Sequence, residues 1–215
     1  MRRTVLALAA LPLVSLPVDA APPRKPLPDA GHAAAAPPSD AREDAFTRSV
    51  QAALALHRGG DDATALRSLW EAVDEARARA PLDVHDGVVL AEPPQNLGMY
   101  REAKGGMVFG DTLMLYLEVD NHGLRKRPEG FEVDLWTDVF LLYEDGERIG
   151  GKERFGEHRL VSRAPYRTTH MVLEVGVGQL PPQPYKALVV VHDAASGKEG
   201  RVVIPFRVAT RPGAR

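Results

Sequence analysis

Any chemistry in this 215-residue chain must start from its seven histidines and its carboxylates, because it holds no cysteine. Without thiols there is no thiolate nucleophile, no disulfide, no blue-copper centre and no Cys-ligated zinc. The histidines stand at 32, 57, 85, 122, 158, 170 and 192, and none forms the helical pair with an intervening Glu that grips zinc from one face. His170 and Met171 are adjacent in a strand-like stretch, so they point to opposite faces and do not share one metal. His192-Asp193 sits where a strand runs into a turn, and Asp there more often caps backbone amides than it orients a catalytic imidazole. Glu132, Asp134 and Asp138 of "EVDLWTD" share one strand face, a spacing open both to paired acid and base work and to simple solvent-facing alternation. Ser162 and Ser196 lack a Gly-x-Ser-x-Gly elbow, and Gly105-Gly106 and Gly150-Gly151 lack the Lys and helix start of a phosphate loop. "YEDGER" lacks the oxygen-ligand series of a calcium loop. No catalytic, cofactor-binding or metal-binding residue is expected on these grounds, and recognition without turnover follows.

The composition bounds the partners. With 27 Lys plus Arg against 29 Asp plus Glu, the chain has no electrostatic footprint for nucleic acid or an anionic membrane. "LRKRPEG" at 124–130 reads as a solvated loop. An apolar share of 44% and a charged share of 26% indicate a globular protein.

Residues 1–20, within "MRRTVLALAALPLVSLPVDAA", have the basic start, apolar run and small-residue end of a cleavable signal peptide. The run is shorter than the roughly 20 residues of a membrane-spanning helix, and Pro12 and Pro17 interrupt it, so no stable membrane span is expected after cleavage. Export places the mature chain in the periplasm or outside the cell, and an excess of Arg over Lys, 21 to 6, fits a GC-rich bacterial genome. Residues 21–40 are a Pro/Ala-rich linker with too little apolar surface to fold. Residues 41–81 carry two stretches of helical spacing, Phe46, Val50, Ala53, Leu54 and then Leu66, Leu69, Trp70, Val73, split by Gly59-Gly60 and ended by Pro81. The spacing predicts a helical hairpin.

From Gly87 the period becomes two. "DTLMLYLEVDN" sets Leu113, Leu115, Leu117 and Val119 on one side, and the next strand turns Phe131, Val133, Leu135, Val139, Leu141 and Tyr143 inward before an Asp145-Gly146 turn. Residues 185–208 form two more strands reversed around Ser196-Gly197-Lys198. Roughly seven to nine short strands with no helix between them predict a mainly β, antiparallel sandwich of the immunoglobulin type over 87–210.

In "LPPQPYKALVVVHD", Leu180, Pro182 and Tyr185 resemble the Leu, Pro and Tyr before strand F of fibronectin type III and related immunoglobulin-like modules. The resemblance implies that the Tyr185 hydroxyl ties down the corner before its strand. The segment from about Gly110 to Val208 is also similar to a Gly-Asp-x-Leu … Tyr-x-x-x-Val-x-Val-x-Asp-x-x-Ser-Gly-Lys pattern of exported bacterial proteins, which implies an envelope location and supplies no activity.

In such a topology Trp136, Phe140, Leu142, Leu188 and Val190 point outward together, with Val203 beside them. An apolar patch of that size needs cover. The helical hairpin is the expected cover, by docking of residues 41–80, and an envelope protein or a glycan is the competing one. The expected function is therefore that of an exported, non-catalytic accessory or binding protein. An envelope hydrolase built from dispersed carboxylates and His is the alternative from another class. A carbohydrate-binding module is a third, and it requires coplanar exposed rings among Trp70, Tyr100, Tyr116 and Trp136.

Overall fold

A computed structural model describes residues 40–210. The signal peptide over 1–20 and the linker over 21–40, apart from Asp40, lie outside the described residues. The chain is mainly β, with two helices ahead of the strands. Helix α1 spans Asp40–Arg58 and α2 spans Asp62–Arg79. Gly60 takes φ +81 between them, a left-handed value that ends α1 without a Cβ clash. Asp61 caps α2, its Oδ1 accepting the Thr64 amide at 3.1 Å. The helices meet through Ala53, Ala65 and Ala72, all buried, while Leu54, Leu66, Leu69, Trp70 and Val73 stay exposed. Small side chains bring the axes close, and the large ones face away.

Among the described residues nine strands follow: β1 Asp83–Val89, β2 Met107–Val108, β3 Thr112–Asp120, β4 Arg125–Arg127, β5 Gly130–Leu142, β6 Arg148–Ser162, β7 Thr168–Gly176, β8 Pro184–Asp193 and β9 Glu199–Val208. They make a three-stranded sheet in the order β1-β3-β7 and a curled six-stranded sheet in the order β2-β9-β8-β5-β4, with β6 on β5. All pairings are antiparallel except β2 with β9, where Met107–Val108 runs parallel to Arg207–Val208. The expected purely antiparallel arrangement therefore fails at this two-residue pairing. Two residues are too short for a period to show in sequence, so no pattern announced it. The first strand begins at Asp83 rather than Gly87, with a bulge between His85 and Val88 that breaks the alternation there.

The core lies between the sheets. Leu113, Leu115, Leu117 and Val119 from β3 face Val133, Leu135, Val139 and Leu141 from β5 and Tyr185, Ala187, Val189 and Val191 from β8, all buried in one cluster. Each large apolar side chain so removed from water contributes about 1.5–3 kcal/mol. Two expected inward residues differ. Phe131 is half-buried at the strand start, and Tyr143 is 40% exposed beyond the last ladder pair.

At the entry to β8 the buried Tyr185 hydroxyl donates to the Pro181 carbonyl at 2.9 Å, closing the corner between β7 and β8. Burial pushes the phenol's pKa up, so it stays a donor. Tyr185→Phe is expected to lower the free energy of unfolding by about 1 kcal/mol in urea titrations, with the strand order unchanged.

Candidate functional site

The even-numbered residues of β5 face away from the core, and they carry three carboxylates and two aromatic rings. Register sets Trp136 opposite His192, Asp138 opposite Val190, Phe140 opposite Leu188 and Leu142 opposite Lys186 on β8. The five residues expected to form one face, Trp136, Phe140, Leu142, Leu188 and Val190, do lie together. Leu142 and Leu188 are buried, and Trp136, Phe140 and Val190 are half-buried.

The cover on that face is the sheet's own side chains. His192 stacks on the Trp136 indole with ring centroids 3.6 Å apart and planes 7° apart, and the Arg154 guanidinium lies over the same ring at 4.8 Å. The Arg148 guanidinium lies 3.9 Å from the Phe140 ring centroid. Such cation–π contacts hold an apolar ring and a charged group together at the surface. Asp138 organises the group. One oxygen accepts the Arg154 amide at 2.8 Å, fixing a bulge in β6 where Arg154 has φ +47, and the other meets His192 Nε2 at 3.0 Å. Gly151 permits the close approach of β6, since a Cβ there would stand 2.4 Å from the Val139 carbonyl oxygen and 2.8 Å from Phe140 Cα.

The helices sit elsewhere, so the docking expected of residues 41–80 on this face is not observed. They pack chiefly on one another. Polar ties run from α2 to the strand ends. Arg167 grips Asp74 with two bonds of 2.8 and 2.9 Å and covers Trp70 at 4.2 Å. Arg77 donates to the Arg167 carbonyl and stands 3.8 Å from Asp120. Lys198 Nζ donates to the Arg77 and Asn121 carbonyls, each at 2.9 Å. The physical reason is that guanidinium groups already satisfy the β5 aromatics, which leaves the helices polar anchors at the sheet end.

The three carboxylates of β5 do not converge on one reacting point. Buried Glu132 accepts from Arg127 Nε at 2.8 Å and Arg159 Nε at 2.6 Å, and these bonds hold its carboxyl below the usual range. Asp134 pairs with Arg125 at 3.6 Å, and Asp138 serves His192 and Arg154. Asp193 is a buried turn cap, accepting the Gly123 amide at 2.6 Å and the Ala195 amide at 2.8 Å. Of the four rings proposed for a glycan platform, Trp70 stands exposed against Arg167, Trp136 is covered, and Tyr116 is fully buried against Tyr100 at 4.3 Å.

One constellation escaped the sequence reading. On the outer face of the three-stranded sheet, donor atoms of His85, Asp86 and Glu118 lie within 4.8 Å of one another. Burial opposes a charge on His85, but its bond to Asp86 and the fields of Asp83, Asp86 and Asp120 prevail and raise its pKa. Strand register joins residues far apart in sequence, so spacing alone could not reveal the set. Asp86-Gly87 inside an apolar strand was the available signal, because such a pair marks a bulge.

No family profile and no curated protein matches the chain. Among solved structures it is similar to an alkylpurine DNA glycosylase of Pseudomonas fluorescens bound to DNA with an abasic site analogue (16% identity, 68% of this chain and 36% of that one, TM-score 0.33). It is also similar to a sporulation control protein of Bacillus subtilis (12% identity, 62% and 51%, TM-score 0.30). A third likeness is to a pilin subunit of enterotoxigenic Escherichia coli (11% identity, 62% and 100%, TM-score 0.29). The chain thus spans about a third of the glycosylase and about half of the sporulation protein. At these TM-scores the likenesses assign neither a fold family nor an activity.

Acid stability follows from the buried groups. Burial pushes the pKa values of His122 and His158 down, so the unfolded chain takes up protons first and stability falls as pH drops through about 6.5. Glu132 is depressed instead, so its contribution is present above about 4.3 and is lost as pH falls below that. Chemical denaturation at stepped pH is expected to show both losses, with His158→Gln flattening the upper one and Glu132→Gln the lower.

Proposed function

We propose that the chain is an exported, non-catalytic binding protein of the bacterial cell envelope, an immunoglobulin-like sandwich that carries a helical hairpin as its partner-contacting element. The basic start, apolar run and small-residue end of residues 1–20 support export. The order β1-β3-β7 against β9-β8-β5-β6, with a short strand parallel to β9 and the Tyr185 corner, supports the immunoglobulin-like assignment.

The observation that carries the contact surface is the contrast between two faces. The outer face of β5 and β8 is closed by Arg148, Arg154 and His192. Along α2, Leu66, Leu69, Trp70 and Val73 recur at i, i+3, i+4 and i+7, which puts them on one side, and they are 55%, 44%, 44% and 39% exposed. Arg167 covers the Trp70 ring, and the aliphatic part of the stripe, Leu66, Leu69 and Val73, is left open to water, which marks a protein contact more often than a solvated surface. A second surface is favoured by Trp136 itself, since Trp and Arg dominate the energetics of many interfaces.

Affinity capture of the mature protein from native envelopes, with photo-crosslinkers on α2, tests the assignment. Leu66→Asp with Leu69→Asp is expected to abolish capture while leaving the unfolding midpoint nearly unchanged, because both residues are exposed. Loss of capture on Trp136→Ala, with the α2 variant still active, would move the contact to the β5 face. Capture that neither variant alters would contradict both surfaces.

A further inference from the structure

We propose that His85, Asp86 and Glu118 form a binding site for a divalent transition-metal ion of the zinc type on the outer face of the three-stranded sheet. Register places His85 on β1 directly across from Glu118 on β3, and Glu118 directly across from His170 on β7. Directly opposed residues of an antiparallel pair have Cβ atoms about 4.5–5.5 Å apart on one face. A His-Glu-His row therefore runs across all three strands.

The bulge adds the fourth group. In a regular strand Asp86 would point to the opposite face from His85. Here Asp86 takes φ +48, an uncommon left-handed value for a residue with a side chain, and its Oδ2 lies 2.9 Å from His85 Nδ1. Sheet packing holds the distortion in place. A Cβ at Gly87 would meet Val202 Cγ2 at 2.7 Å and Ile204 Cγ1 at 2.8 Å, so only glycine lets the bulge sit against β9.

The surrounding bonds aim the donors as ligands are aimed in metal sites. The Tyr116 hydroxyl accepts the Gly98 amide at 2.9 Å and donates to Glu118 Oε1 at 2.6 Å, which fixes that carboxylate and leaves its second oxygen. Asp120, held by Thr168 Oγ1 at 2.6 Å, stands 3.6 Å from His85 Nε2. A carboxylate behind one imidazole nitrogen leaves the other, Nδ1 on the Asp86 side, as the donor. Asp86 meets His85 and Glu118 meets the Tyr116 hydroxyl, so a bound cation would add positive charge between two carboxylates. His170, stacked on Tyr116 with ring centroids 5.5 Å apart, stands next in the row for a further nitrogen.

One or two imidazoles with two carboxylates match zinc, cobalt or nickel. Calcium needs six to eight oxygens, which this set does not offer. A spread of 4.8 Å must contract toward the roughly 3.4 Å between ligands of a tetrahedral ion with bonds near 2.1 Å, a change within reach of side-chain rotation.

Calorimetric titration of the full mature chain with zinc chloride is expected to show one site per chain, weakened at least about tenfold by His85→Ala, Asp86→Asn or Glu118→Gln. His192→Ala is expected to leave it unchanged. Imidazole nitrogen resonances give a readout independent of variant folding, with His85 shifting on zinc addition and His192 not. No saturable binding up to millimolar zinc, equal binding by the wild type and all three variants, or tighter binding of calcium than of zinc would overturn the site.

Discussion

A β-strand must satisfy two faces at once, and in this chain the whole architecture turns on how β5 does so. Its odd-numbered residues Val133, Leu135, Val139 and Leu141 enter the core, where β3 and β8 meet them. Its even-numbered residues run Glu132, Asp134, Trp136, Asp138, Phe140 and Leu142, half of them acidic and half apolar. Such a face can neither be buried under another layer nor left bare. The protein resolves the conflict with side chains that do double work, since Arg154 rests on an aromatic ring while its backbone amide answers an acid, and His192 joins Trp136 to Asp138. A helix laid over this face would have to strip the Arg148 and Arg154 guanidinium groups and the Asp138 carboxylate of water, at a cost that its few apolar contacts would not offset.

Closing β5 in this way frees the hairpin. Helix α2 touches the sheets through its own Asp74 and Arg77 and through Arg167 and Lys198 at strand ends, charged groups rather than a shared apolar core. Polar anchors of this kind fix position without burying much area. The hairpin keeps its outward stripe, and the sandwich keeps its own core. The acids of β1 and β3 lie near the same junction, so Asp120 links Arg77 of the helix to His85 of the first strand. The hairpin and the proposed cation site are thus joined by one carboxylate.

What could be read from the sequence divides along physical lines. Alternation is local, so the inward face of β3, that of β5 from Val133 to Leu141, the Asp145-Gly146 turn and the Ser196-Gly197-Lys198 turn were legible. Tyr185 was legible too, because a corner tyrosine needs only its short approach segment. The cover of the outer face was not. A hydropathy pattern shows that Trp136 and Phe140 point outward, but it does not show that Arg148 and Arg154, in a long polar strand with an internal bulge, fold back across them. The β2–β9 pairing and the His85, Asp86 and Glu118 set depend on register between distant segments, which local spacing does not encode.

The central claim is that the two sheets form a self-sufficient cooperative unit and the hairpin is a tethered accessory. Native-state hydrogen exchange on the full chain tests it most directly. Amides of α1 and α2 are expected to exchange through openings far smaller than global unfolding, while those of β5 and β8 wait for the whole sandwich to open. Equal protection of the helices and the central strands would contradict the account, because it would mean that the hairpin is part of the core.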